Sequence, residues 1–139
     1  MHKFKAATIV LMVCASSAAL AQSPSPQRLA PGEAPKGSPT AVVDLAAEFP
    51  QMKGYEFVET VNTVPPGTGR ALHSHVSTPE IVRVLSGTLT DARNGAAPVA
   101  YGPGSTLVNA TGTSHMWANL GTEPLVFLAV AIRRVKPAS

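Results

Sequence analysis

The sequence predicts an all-β domain, a barrel or sandwich of short strands, and three observations carry that reading. Val- and Thr-rich runs recur at short intervals from Tyr55 onward. Thirteen prolines and eleven glycines punctuate the chain, a pattern of many turns rather than long helices. Only 14% of residues are charged and no heptad repeat is present, which excludes a coiled coil. At 139 residues the chain has room for one domain. With 45% hydrophobic residues it is too apolar to be wholly disordered.

Taken in order, residues 1–21 read as a removable leader. Lys3 and Lys5 form a basic start, Ala6–Leu20 is an uncharged run of fifteen residues, and Ala19-Leu20-Ala21 is a small-residue cleavage box. Fifteen residues fall short of the roughly 20 that a membrane-spanning helix needs. The expected location is therefore periplasmic or secreted, with no membrane attachment after cleavage. Removing Lys3 and Lys5 from eleven basic residues leaves nine against eight acidic ones, a net charge of +1. That balance removes the case for nucleic-acid binding. Cys14, the only cysteine, leaves with the leader, so neither a disulfide nor a thiolate-bound zinc is available to the mature chain.

Residues 22–41 are Pro- and Ser-rich and read as an extended linker. The domain is expected over 42–135, with a short tail at 136–139. Val42–Phe49 forms one helical turn or a strand before Pro50. Strands are then expected at Tyr55–Val64, Ala71–His75, Glu80–Leu85, Thr88–Arg93, Val99–Tyr101, Thr106–Asn109, His115–Asn119 and Leu125–Ile132. Asn94-Gly95 reads as a tight hairpin turn. Gly87 and Gly112 stand where the chain must reverse, and positive φ is the requirement there.

The chemistry concentrates in the three histidines of the mature chain and one glutamate. His73 and His75 are two apart in a strand-like stretch, so alternation points both imidazoles to one face. Pro79 forces an extended or turning entry that lets Glu80 return beside them. His115, forty residues downstream, meets them if the sheet closes into a small barrel. Three neutral imidazoles and a carboxylate suit a divalent Fe, Mn, Zn, Ni or Cu ion. Taken alone, a His-x-His pair is as often an ordinary surface or core feature. A buried Glu80 without a cation, however, carries the penalty of an unpaired charge.

The stretch Gly67-TGRAL-His73-Ser74-His75-VSTP-Glu80-IVRVLS-Gly87 resembles the first motif of the cupins at every fixed position. Gly104-STLVN-Ala110-Thr111-Gly112-TS-His115-MWA-Asn119 resembles the second, departing where Ala110 replaces the usual proline. Between Gly87 and Gly104 lie 16 residues, near the short end for small single-domain cupins. The resemblance implies a jelly-roll, or double-stranded β-helix, barrel with His73, His75, Glu80 and His115 as metal ligands. It also implies a structural role for Asn119.

Trp117 and Asn119 share the inward face with His115 by alternation, and Trp117 is expected chiefly to pack the core. Val82 and Val84 share the face of Glu80 and make the cavity apolar, while Arg83 points away to solvent. Asn109-Ala110-Thr111 matches a glycosylation sequon by chance. No acid–base partner stands out: Asp44, Glu48, Glu56, Glu59, Asp91 and Glu123 are not evidently pocket-facing, and Tyr55 and Tyr101 are bare candidates. The expected function is metal-centred catalysis on a small oxygenated substrate, of dioxygenase (oxidoreductase) or isomerase/lyase type, with Glu80 doubling as base. The alternatives are a non-catalytic small-molecule or carbohydrate-binding module and a barrel that the metal merely stiffens. Exposed strand edges and the outward Ile81 and Leu85 point to a homodimer.

Overall fold

A computed structural model describes residues 32–135. The leader, residues 22–31 of the linker and the tail expected at 136–139 lie outside the described residues.

Among the described residues nine strands form two antiparallel sheets. β1 (Pro39–Asp44) leads into a single helical turn, α1 (Leu45–Glu48), capped by the Asp44 carboxylate on Ala46 N at 2.9 Å. The strands β2 (Tyr55–Val64), β3 (Gly69–Ser74), β4 (Glu80–Ser86), β5 (Leu89–Arg93), β6 (Val99–Tyr101), β7 (Thr106–Asn109), β8 (Ser114–Ala118) and β9 (Leu125–Arg134) follow. One sheet has the order β1-β2-β9-β4-β7 and the other β3-β8-β5-β6. No helix among the described residues is long and apolar enough to cross a membrane.

Period-two alternation decides what each sheet offers its partner. Val64, Val82, Val84, Leu107, Leu125, Phe127 and Ala129 of the five-stranded sheet are buried and meet Leu89 of the other. Trp117 stands edge-on to Phe127 with ring centroids 5.4 Å apart, joining the two sheets through an aromatic contact. The opposite face of the five-stranded sheet presents Val43, Phe57, Val61, Ile81, Leu85 and Val108 to solvent. Asn119 is fully buried and donates to the carbonyls of Val64 and Glu123, so its role is structural. Arg83 is exposed and donates to Thr106 Oγ1.

Asn94 and Gly95 both have positive φ (49° and 76°) in the turn that follows β5. Gly87 and Gly112 also have positive φ, 72° and 91°.

The linker expectation needs correction at its C-terminal end. Residues 39–41 belong to β1, which pairs with β2, and residues 32–37 are tied to the domain by backbone. Gly69 N donates to Gly32 O at 2.9 Å, and Ala34 N donates to Gly69 O at 2.7 Å. Gly37 N donates to the Asn62 side chain at 3.2 Å. The segment is therefore a strap running from the edge of β3 to β2. Composition concealed it because these bonds use peptide groups and need no side-chain pattern.

Candidate metal centre

The register of the four-stranded sheet assembles the site. In antiparallel pairs, directly opposed residues share a face. His73 opposes His115, and His115 opposes Arg93, so these three form one inward row. Arg70 opposes Trp117, and Trp117 opposes Asp91, forming the next row. His75 follows the end of β3, where its N–H donates to Thr113 O at 3.0 Å. The three imidazoles gather in a cluster whose ring centroids are 4.5–5.2 Å apart. Their ligand atoms all lie within 4.8 Å of one another. His75 and His115 are buried and His73 is half-buried.

Every ring is oriented from behind. His73 Nδ1 donates to Ala71 O at 2.8 Å, His75 Nδ1 to Thr78 O at 3.0 Å, and His115 Nδ1 to Asp91 Oδ1 at 2.7 Å. Carbonyl and carboxylate oxygens only accept, so each Nδ1 carries the hydrogen and, in the neutral ring that a metal needs, each Nε2 keeps a bare lone pair. The Nε2 atoms of His75 and His115 then face each other at 2.9 Å. Two lone pairs at that distance repel unless a cation lies between them. Two nitrogens bound at right angles about 2.1 Å from one ion lie about 3 Å apart. The donor set, its tautomers and its spacing therefore fit a divalent transition metal. Burial holds the His73 imidazole below its ordinary range; the bond to Ala71 opposes this, while charge at His115, Arg70 and His75 adds to it. A neutral ring is the form a metal needs.

Glu80 comes from the other sheet. Its Oε2 lies 4.0 Å from His75 Nε2 and accepts a hydrogen bond from Asn109 Nδ2 at 2.9 Å. The three histidines are thus brought together as a cluster, with the carboxylate beside them.

Sequence reasoning missed the residues behind this set. Asp91 is 1% exposed; one oxygen receives His115 and the other receives Arg93 Nε. Arg93 continues to Asn109 Oδ1 at 2.7 Å and to Val108 O at 2.9 Å. A hydrogen-bonded chain thus runs from His115 through Asp91, Arg93 and Asn109 to Glu80, joining the sheets. Asp91 does not line the cavity, in keeping with its not being evidently pocket-facing, and acts from behind His115. The signal that could have found it is a lone carboxylate at the centre of a short strand, two residues before an arginine, since a buried charge needs partners. Asn109 is 1% exposed, so its sequon offers no accessible acceptor.

A cavity of about 530 Å³ opens between the sheets above the cluster. Glu80, Val82, Leu89, Leu107, Trp117 and Phe127 line it, with Thr60, Asn62, Ser74 and Thr78 adding polar groups. Neither Tyr55 nor Tyr101 is among the lining residues. Tyr55 lies under Arg134 at 5.0 Å, and Tyr101 packs against the core.

Two antiparallel sheets that gather three imidazoles on an inner wall define a double-stranded β-helix protein with a potential metal centre. The chain belongs to the cupin family: the cupin domain model matches residues 60–131, more than half of it. Among solved structures it is similar to a conserved Klebsiella pneumoniae protein with a double-stranded β-helix domain. That match has a TM-score of 0.57 at 19% identity and covers 79% of this chain and 92% of the other. A Bacillus halodurans protein matches with a TM-score of 0.54 at 18% identity over 61% of this chain and 67% of its own. A predicted oxalate decarboxylase from Thermotoga maritima matches with a TM-score of 0.51 at 26% identity, over 70% and 93%. No curated protein matches the chain.

Proposed function

We propose that this chain is an exported mononuclear metalloenzyme acting on a small oxygenated molecule, with His73, His75, His115 and Glu80 as the ligands. One observation carries the reading: all three Nδ1 atoms are tied to acceptors, so three bare Nε2 lone pairs converge on one point beside a carboxylate. A bound Fe, Mn, Zn, Ni or Cu ion would act there as a Lewis acid toward a substrate oxygen.

The chain's own residues do the rest. The backbone and Asp91 contacts fix each ring. Asn109 holds Glu80 at one oxygen, leaving the other to accept a proton from substrate. Val82, Leu89, Leu107 and Phe127 exclude water from one wall of the cavity. Among the described residues no further histidine lines the cavity and Glu80 is its one carboxylate, so Glu80 is the base they offer. Dioxygenase and isomerase/lyase chemistries both fit this set, and the similar Thermotoga maritima protein, named as a predicted oxalate decarboxylase, adds decarboxylation to the range.

The test is elemental analysis of anaerobically purified protein, followed by oxygen-uptake and product screens with small enediols, diketones and oxo acids. One equivalent of a transition metal and turnover lost in His115→Ala are expected. Stoichiometric metal with tight ligand binding and no turnover would instead favour the non-catalytic binding module, for which the hydroxyl groups of Thr60, Ser74 and Thr78 in the wall speak.

Export rests on the leader pattern of residues 1–21; mass spectrometry of secreted material should give a chain beginning at Gln22. The apolar outer face of the five-stranded sheet, with Ile81 52% and Val108 60% exposed, supports a homodimer. Sedimentation should show a dimer that Ile81→Asp dissociates.

A further inference from the structure

The cavity wall is unevenly charged. It carries three cationic side chains, Lys36, Arg70 and Arg133, against the single carboxylate of Glu80. Arg133 is answered by Glu56, whose Oε1 accepts from Nε at 2.6 Å. Arg70 takes part in no ion pair and no side-chain hydrogen bond among the described residues.

The direction in which Arg70 points is built into β3. Strict alternation would put residues 70 and 73 on opposite faces. Between Arg70↔Trp117 and His73↔His115, however, β3 advances three residues while β8 advances two. This is a β-bulge, and its extra residue turns Arg70 onto the inward face beside His73. The strap adds a second cation: its bonds to Gly69 and Asn62 bring Lys36 to the same cavity.

A guanidinium turned toward the cavity by a bulge, exposed at its mouth, unpaired among the described residues and next to a site for a divalent cation makes the cavity wall net positive. We propose that Arg70, assisted by Lys36, is the recognition group for a small organic anion. The carboxylate of that ligand lies on the Arg70 fork while an oxygen at its other end faces the histidine cluster. The planar fork matches a carboxylate in two parallel hydrogen bonds, which an ammonium cannot reproduce. The inference rests on the metal-centred reading above and supplies its substrate class.

The test uses the full mature chain loaded with Co²⁺, whose visible spectrum reports the histidine centre independently of turnover. Lactate, pyruvate and malonate are titrated calorimetrically, each beside its neutral amide, at constant ionic strength. At least one acid should bind about 10- to 100-fold more tightly than its amide. Arg70→Gln should abolish that preference while Co²⁺ uptake, spectrum and melting stay unchanged. Arg70→Lys and Lys36→Gln should each weaken the acid several-fold and leave the amide alone; they carry the test if Arg70→Gln folds poorly. Stoichiometric Co²⁺ uptake with no acid preferred, or a preference that survives these substitutions, overturns the inference and leaves the metal centre standing. No uptake of Co²⁺ overturns both.

Discussion

Both oxygens of Asp91 are committed, one to His115 Nδ1–H and the other to Arg93 Nε–H. An asparagine in its place has one acceptor and one donor, so whichever way the amide turns, an N–H faces an N–H. Asp91→Asn should therefore weaken metal binding by about 10- to 100-fold, the usual consequence of removing the partner that orients a ligating imidazole. It should also lower stability by about 1–3 kcal/mol through the buried donor left unpaired. Chelator competition and urea denaturation measure the two effects. A second prediction concerns His73, which burial holds below its ordinary value of 6.5. Below that value the unfolded chain takes up a proton that the folded chain refuses, so the metal-free protein loses stability as the pH falls. The loss ends once the pH passes the lowered folded value. Denaturation midpoints between about pH 7.5 and about pH 5.5 should drift downward, with a smaller slope in His73→Gln. The three clustered histidines could be read from the sequence because His73 and His75 stand two residues apart at the end of β3 and the family motif supplies His115. Asp91, Arg93 and Asn109 could not, because their roles depend on side chains 24, 16 and 29 residues apart meeting across strands.

Among the elements, β3 is where local pattern and tertiary demand diverge. Its His-x-His spacing was legible, but the strand ends at Ser74, so His75 joins from the loop beyond it rather than by alternation; the bulge before His73 was not legible, since an extra residue is defined only against the partner strand. Gly69 stands at the head of that bulge. A Cβ there would collide with the Trp117 carbonyl and with Ala118 of β8, and the strap bonds to Gly69 from the other side. Neither neighbour is the end of a flexible side chain, so the strands would have to separate. Gly69→Ala should accordingly cost about 1–3 kcal/mol, read as a lowered thermal midpoint. It should also loosen the strap, seen as faster hydrogen exchange at Ala34. Other strands were legible to the residue: Tyr55–Val64 and Thr106–Asn109 begin and end where alternation and turn residues place them. What their sequences do not contain is partner choice. β9 pairs with β2 and β4 because four of its five inward positions, Leu125, Phe127, Ala129 and Ala131, are apolar, and only Arg133 at its end is not.

For the whole molecule, the question is how the two sheets are held in register around a cavity. The aromatic contact of Trp117 with Phe127 and the Arg93–Asn109 bond join them on one side. At the centre, the histidines belong to the four-stranded sheet or the loop that follows β3, and Glu80 belongs to β4 of the other. An ion bound by all four groups would be a crosslink between sheets as well as a cofactor, and its binding energy would appear as folding energy. An ion at about 100 times its dissociation constant stabilises the folded state by about 2.7 kcal/mol. For a domain of roughly 100 residues, that corresponds to about 10–20 °C in melting temperature. Loading the protein should therefore raise its midpoint by that amount, and His115→Ala should remove the rise. Glu80→Gln separates ligand from bystander: it should retain metal on three imidazoles yet lose about half of the stabilisation, because the bond to the second sheet is gone. An undiminished rise in Glu80→Gln would mean that the ion is held by one sheet alone, with Glu80 free to act only on the substrate.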